Sequence, residues 1–204
     1  MKSGNKVLDR LLEMSDIDMR QNSVLIRKRA IALYKAFAKR EKGKPRAVTM
    51  HTLGAIYPCI SFYKAVSLCT GEKEQAYRIM ENFFAERAEK RAAKIRKICA
   101  VPFVYRAVPQ IVAKMIHGFF GAKSGFEPVD RILDRELCHI DMLSCPYNSI
   151  CRACGCPELT KLFCASDDIA YGNMHKNLSW ERTKTLGKDG DCCDFVVRVC
   201  GSKK

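Results

Sequence analysis

The chain has no apolar run approaching the ~18–20 residues that a membrane-spanning helix needs. Its opening, Met1-Lys2-Ser3-Gly4-Asn5-Lys6, runs into Asp9, Arg10 and Glu13 rather than into the apolar stretch of a signal peptide. A soluble cytoplasmic protein is the expectation. There is no phosphate loop, no Gly-x-Gly-x-x-Gly and no His-x-x-His or His-Glu-x-x-His pattern, and each of His51, His117, His139 and His175 stands alone. Internal repeats and low-complexity tracts are also missing. Acidic residues are scarce in the first part: residues 1–125 carry 25 Lys and Arg against 10 Asp and Glu, whereas residues 126–204 carry 11 against 12. The whole excess of the +14 net charge therefore lies in the first part.

What is present is an apolar content of 48%, enough for a packed core in 204 residues. Cysteine runs opposite to charge: Cys59, Cys69 and Cys99 lie in the first 125 residues and the other nine of twelve follow. The chain is thus read as a basic helical region, 1–125, and a Cys-rich α+β region, 126–204, forming one compact unit. Clusters such as Arg27-Lys28-Arg29 and Lys39-Arg40 ordinarily coat solvated helix faces. The sharper reading is attraction to an anionic membrane surface or an acidic partner. Nucleic acid is disfavoured, because no aromatic residues interleave with the cations and no zinc-finger or RNA-binding fingerprint is present.

Apolar spacing near 3.6 residues predicts helices over Val7–Met14, Val24–Phe37, Thr49–Thr70 with a kink at Pro58, Glu72–Cys99 and Val104–Phe120. After Lys123-Ser124-Gly125 the texture changes. Leu137–Cys145 reads as a strand, and Cys156-Pro157-Glu158 opens a helix running to Tyr171. Leu178–Leu186 and Cys193–Val199 alternate on either side of a Gly/Asp turn, which indicates an antiparallel hairpin. The fold class expected is α+β: an N-terminal helical layer, then a small antiparallel sheet with one prominent helix.

The spacing Cys151-x-x-Cys154-x-Cys156 has the tightness of a metal knot for zinc or an iron–sulfur cluster, although buried unreactive thiols are the more ordinary reading. Cys156 also precedes a helix N-terminus, which favours a thiolate and makes it a candidate nucleophile beside its plainer reading as a cap. On the predicted helix, Cys164, Asp167, Asp168 and Tyr171 fall on neighbouring parts of one face, where an Asp beside a thiol binds a cationic nitrogen or moves a proton; an exposed acidic pair is the alternative. Arg182 and Asp194 on one sheet face would bind opposite charges of a ligand or simply pair with each other.

Taken in order, Cys145-Pro146-Tyr147, Gly155-Cys156-Pro157-Glu158-Leu159, Phe163-Cys164-x-x-Asp167, Glu181-Arg182-Thr183-Lys184-Thr185-Leu186 and Cys193-Asp194-Phe195 resemble the L-2-amino-thiazoline-4-carboxylic acid hydrolase family across about residues 126–199. Cys151, Cys154 and the doubled Cys192 depart from that pattern. The resemblance implies a hydrolase that opens a cyclic amidine by breaking a C–N or C–S bond, giving a carbamoyl-cysteine from a small zwitterionic substrate. It implies Arg182 or Lys184 for the substrate carboxylate, Asp167 or Asp194 for its cationic group, Cys145, Cys164 and Cys193 as thiol candidates, and Glu158 as a general base or a helix-stabilising charge. The alternative is a non-catalytic metal-binding or ligand-sensing module.

Overall fold

The computed structural model describes residues 2–18 and 22–201. The chain resolves into two compact units: one takes the chain up to Phe83 with Ile150–Leu159, the other Phe84–Ser149 with the chain from Thr160 onward. The compositional break near residue 125 does not coincide with this division.

The first unit is helical. Helix α1 (Lys6–Asp18) starts because Asn5 caps it: the Asn5 carboxamide oxygen accepts from the amides of Val7 at 2.9 Å and Leu8 at 3.0 Å. Its apolar stripe, Leu8, Leu11 and Leu12, is fully buried. Helix α2 (Ser23–Arg40) contributes Ile26 and Ile31, and α4 (Tyr57–Thr70) contributes Ile60 and Phe62. The long helix expected over 49–70 is α3 (Arg46–His51) joined to α4 by a π-helical turn, Thr52–Ile56. That widened turn lies just before Pro58, which sits in the first turn of α4, where its missing N–H costs no hydrogen bond. Gly71 ends α4 at φ 77°, a left-handed conformation glycine adopts freely.

Helix α5 (Lys73–Cys99) crosses the division at Phe83. In the second unit, a single 3₁₀ turn at Val104–Ala107 leads into α6 (Val108–Phe119). The sheet holds β1 (Glu127–Leu133), β2 (Leu137–Ser144), β3 (Leu178–Glu181) and β4 (Cys193–Val199), all antiparallel in the order β1-β2-β4-β3. Alternation along β2 sends Cys138, Ile140 and Met142 into a core shared with Val197 of β4 and with Val108, Val112 and Ile116 of α6. The expected hairpin is present as the β3–β4 pair, with Trp180 opposite Val197. Two elements were not anticipated: β1, and α7 (Pro146–Ala153). The prominent helix is α8 (Leu159–Tyr171). The α+β class stands as expected. Among the described residues, no single helix is long and apolar enough to cross a membrane.

Candidate functional site

Four segments of the second unit bring chemistry together. Cys145 stands between β2 and α7, where its carbonyl accepts from the amides of Asn148 at 3.0 Å and Ser149 at 3.1 Å. Cys164 and Asp167 lie one turn apart on α8. Arg182 follows β3, and Cys193 opens β4 with its sulfur 3.3 Å from the Leu186 amide. The three thiols are close enough that charge on Cys164 disfavours ionisation of both Cys145 and Cys193. Cys164 in turn feels Arg182 and Asp167.

Burial dominates the thiols. It pushes Cys145 up to about 11 and Cys193 up to about 12, and raises Cys164 as well. Arg182 opposes that rise at Cys164. All three are therefore neutral thiols at pH 7. Asp167 behaves differently. Its side chain keeps 36% of its surface open. Desolvation by the protein around it still pushes its carboxyl up to about 6; Arg182 and Arg91 oppose this and Asp168 reinforces it. Asp167 is thus the group among these that changes charge near neutrality.

Arg182 is held rather than free. Its side chain is 2% exposed, and one terminal nitrogen donates to the Asp168 carboxylate at 2.6 Å and to the Cys164 carbonyl at 2.8 Å. Its guanidinium carbon lies 5.4 Å from the centre of the Phe195 ring. The Trp180 indole N–H donates to the other Asp168 oxygen at 3.1 Å. These contacts fix α8 against the end of β3, so the strand stops at Glu181 rather than continuing to Leu186 as the alternation suggested. The turn Leu186–Lys188 closes over the same helix: a Cβ on Gly187 would lie 2.9 Å from Thr160 Cγ2 and 3.3 Å from Cys164 Sγ. The buried Thr160 hydroxyl has no hydrogen-bond partner among the described residues.

The other sequence candidates make contacts of their own. Lys184 pairs with Asp191 at 2.6 Å, with both side chains open to solvent. Asp194 accepts from the Thr183 hydroxyl at 2.5 Å and the Lys184 amide at 2.8 Å; burial works to raise its pKa, but these hydrogen bonds outweigh it and hold the carboxyl below its ordinary value. Asp194 thus ties down the loop after β3. Glu158 belongs to the first unit and accepts a hydrogen bond of 2.5 Å from the Tyr63 hydroxyl. Desolvation, that hydrogen bond and the Glu158 charge together raise the Tyr63 pKa.

Cys151, Cys154 and Cys156 also belong to the first unit. Among the described residues, no three His, Cys, Asp or Glu side chains are gathered to hold a metal ion. Cys151 and Cys154 ride on α7, and Gly155 at φ 66° turns the chain so that the Cys156 amide donates to the Cys151 carbonyl at 2.9 Å. The Cys156 thiol shares a hydrogen bond with Cys151, which lowers its pKa against burial, and Lys64 lowers it further. Burial and the Cys156 charge raise the Cys154 pKa, with Lys64 and Arg40 opposing.

Sequence reasoning missed Arg91, which projects from α5 to within 3.8 Å of Asp167 and is 48% exposed. It lies within the basic stretch of residues 1–125, and no spacing links it to a carboxylate so distant in the chain. Asp168 was seen on the right helix face, but its tie to Arg182 was not.

On this α+β frame a partly exposed carboxyl poised near neutrality lies on the same helix as the half-buried Cys164 thiol, in the same unit as half-buried Cys145, buried Cys193 and the locked Arg182 guanidinium. The chain belongs to the L-2-amino-thiazoline-4-carboxylic acid hydrolase family, whose model matches residues 49–197. No curated protein and no solved structure matches it.

Proposed function

We propose that this protein hydrolyses a small cyclic amidine bearing a carboxylate, opening the ring of L-2-amino-thiazoline-4-carboxylate or a close analogue to a carbamoyl-cysteine. The observation that supports this reading is the placement of Asp167, titrating at about 6, one helical turn from the Cys164 thiol, with Arg91 and Arg182 around the carboxyl. A thiol that is neutral at pH 7 needs a base to become a nucleophile, and an ionised Asp167 is that base.

The Cys164 sulfur attacks the amidine carbon and its proton passes to Asp167. The ring C–S or C–N bond breaks, and Asp167 returns the proton to the departing atom. Water, deprotonated by Asp167, then attacks the same carbon. The Cys164 sulfur leaves and recovers its proton. The net change is substrate plus one water giving a carbamoyl-cysteine. Arg182, already satisfied by Asp168 and Cys164, holds α8 in place, and the accessible Arg91 receives the substrate carboxylate.

Incubating the purified chain with the thiazoline acid in heavy-oxygen water and following the product by mass spectrometry tests this. Turnover with label in the carbamoyl group, lost in Cys164→Ala and Asp167→Asn proteins that remain folded, is expected. Saturable binding without turnover would favour a ligand-sensing module instead.

A further inference from the structure

Between Glu89 and Glu127 the chain carries no Asp or Glu, while five Lys and Arg lie from Lys90 to Lys97, followed by Arg106 and Lys114. The structure folds this stretch into a sharp corner: the axes of α5 and α6 meet at 112°. At the corner, apolar side chains face solvent. Phe103 is 68% exposed, Ile98 60% and Val101 53%. Local hydrogen bonds make the corner rigid rather than loose: Val101 N donates to Ile98 O at 3.2 Å, Val104 N to Val101 O at 3.2 Å and Arg106 N to Phe103 O at 3.1 Å. Phe103 itself adopts φ 66°, a left-handed conformation that is unfavourable for a residue with a side chain. Glycine would fit that backbone better, yet a large apolar residue occupies it and points outward. Lys94, Arg96, Lys97 and Arg106 around the corner are all exposed, and the Arg106 guanidinium lies 5.4 Å from the Phe103 ring centre.

We propose that this corner docks on an anionic membrane surface, with Phe103, Val101 and Ile98 entering the headgroup–acyl boundary and Arg96, Lys97 and Arg106 resting on anionic headgroups. The charge pattern favours an anionic partner, because Lys94, Arg96, Lys97 and Arg106 outnumber the Glu136 carboxylate that acts on Arg106. The apolar pattern selects lipid over nucleic acid: two of the three exposed side chains are aliphatic, which enter a membrane boundary but offer bases no stacking face.

The test is co-sedimentation of the full chain with vesicles of phosphatidylcholine alone and of phosphatidylcholine containing about 30% phosphatidylserine. Binding to the anionic vesicles, weakened about tenfold as salt rises from low to high ionic strength, is the expected result. Phe103→Gly relieves the backbone conformation while removing the ring, so the variant folds, retains hydrolysis and binds about tenfold more weakly. Arg96→Glu with Lys97→Glu does the same, whereas Lys28→Glu with Arg29→Glu on α2 leaves binding unchanged. Phe103→Trp retains binding and its fluorescence shifts to the blue on vesicles beyond any change from Trp180. No binding to anionic vesicles, equal binding to neutral ones, equal loss in the α2 variant, or preferential capture of an RNA oligonucleotide that Phe103→Gly does not weaken would each overturn the proposal.

Discussion

Asp167 carries the most specific consequences at the scale of single residues. Because the fold raises its pKa from the ordinary 3.8 to about 6, the protonated form is the one that the fold favours. Activity that needs the carboxylate therefore rises with pH through about 6, and the acid limb of a kcat/KM profile should report that value and vanish in Asp167→Asn. Stability runs the opposite way. The favourable contribution is complete below about 3.8 and is lost as pH rises through about 6, so Asp167→Asn should raise Tm at pH 8 and change it little at pH 4. Loss of the base or of the Cys164 sulfur should lower kcat by about 100-fold or more. Arg91→Ala should act on KM more than on kcat, since its role is to hold the substrate carboxylate; an effect confined to kcat would move Arg91 out of that role.

Gly187 and Arg182 set the consequences at the scale of elements, because both join α8 to the chain around β3 and β4. A methyl at Gly187 meets Thr160 Cγ2 at 2.9 Å and the Cys164 sulfur at 3.3 Å, so Gly187→Ala should cost about 1–3 kcal/mol in denaturant unfolding and displace the thiol. Arg182→Met leaves Asp168 without its cation and the Cys164 carbonyl without its donor. It should destabilise by about 2–3 kcal/mol, partly screened because Asp168 is half-exposed; a neutral result would show that packing on Phe195 suffices. The same elements show what was legible beforehand. The helix of Asp167 and the β3–β4 hairpin were visible because their buried faces impose periodicity. The edge strand β1 was invisible because it is largely exposed and so has no alternation to read, and it contains Pro128, which an edge tolerates. Helix α7 spans only Pro146–Ala153, too short for a periodic signal. The alternation running to Leu186 overstated β3, because Arg182 is drawn away to α8.

For the whole molecule, charge and family outweigh any single contact. A net charge of +14 on 204 residues repels itself, so raising salt from low to physiological ionic strength should raise Tm; a salt-independent Tm would show that its ion pairs compensate already. The thiols, Asp167 and Arg182 of the candidate site stand in short motifs scattered over residues 145–194, Arg91 lies outside them, and the family match over residues 49–197 extends the relation into the helical first part. Their grouping was not legible. The three thiols, Asp167 and the Arg182–Asp168 pair fall in the second unit, while Glu158 and the Cys151–Cys156 segment fall in the first. No linear spacing separates those sets, because Ile150–Leu159 leaves one unit for the other and returns within ten residues.

The measurement that most directly tests the central claim is rapid acid quenching of the protein during turnover of the thiazoline acid, followed by peptide mass mapping. The account predicts a substrate-derived adduct on the peptide containing Cys164, absent in Asp167→Asn. An unmodified Cys164 under steady turnover, with Cys164→Ala hydrolysing the substrate at the original rate, would contradict it.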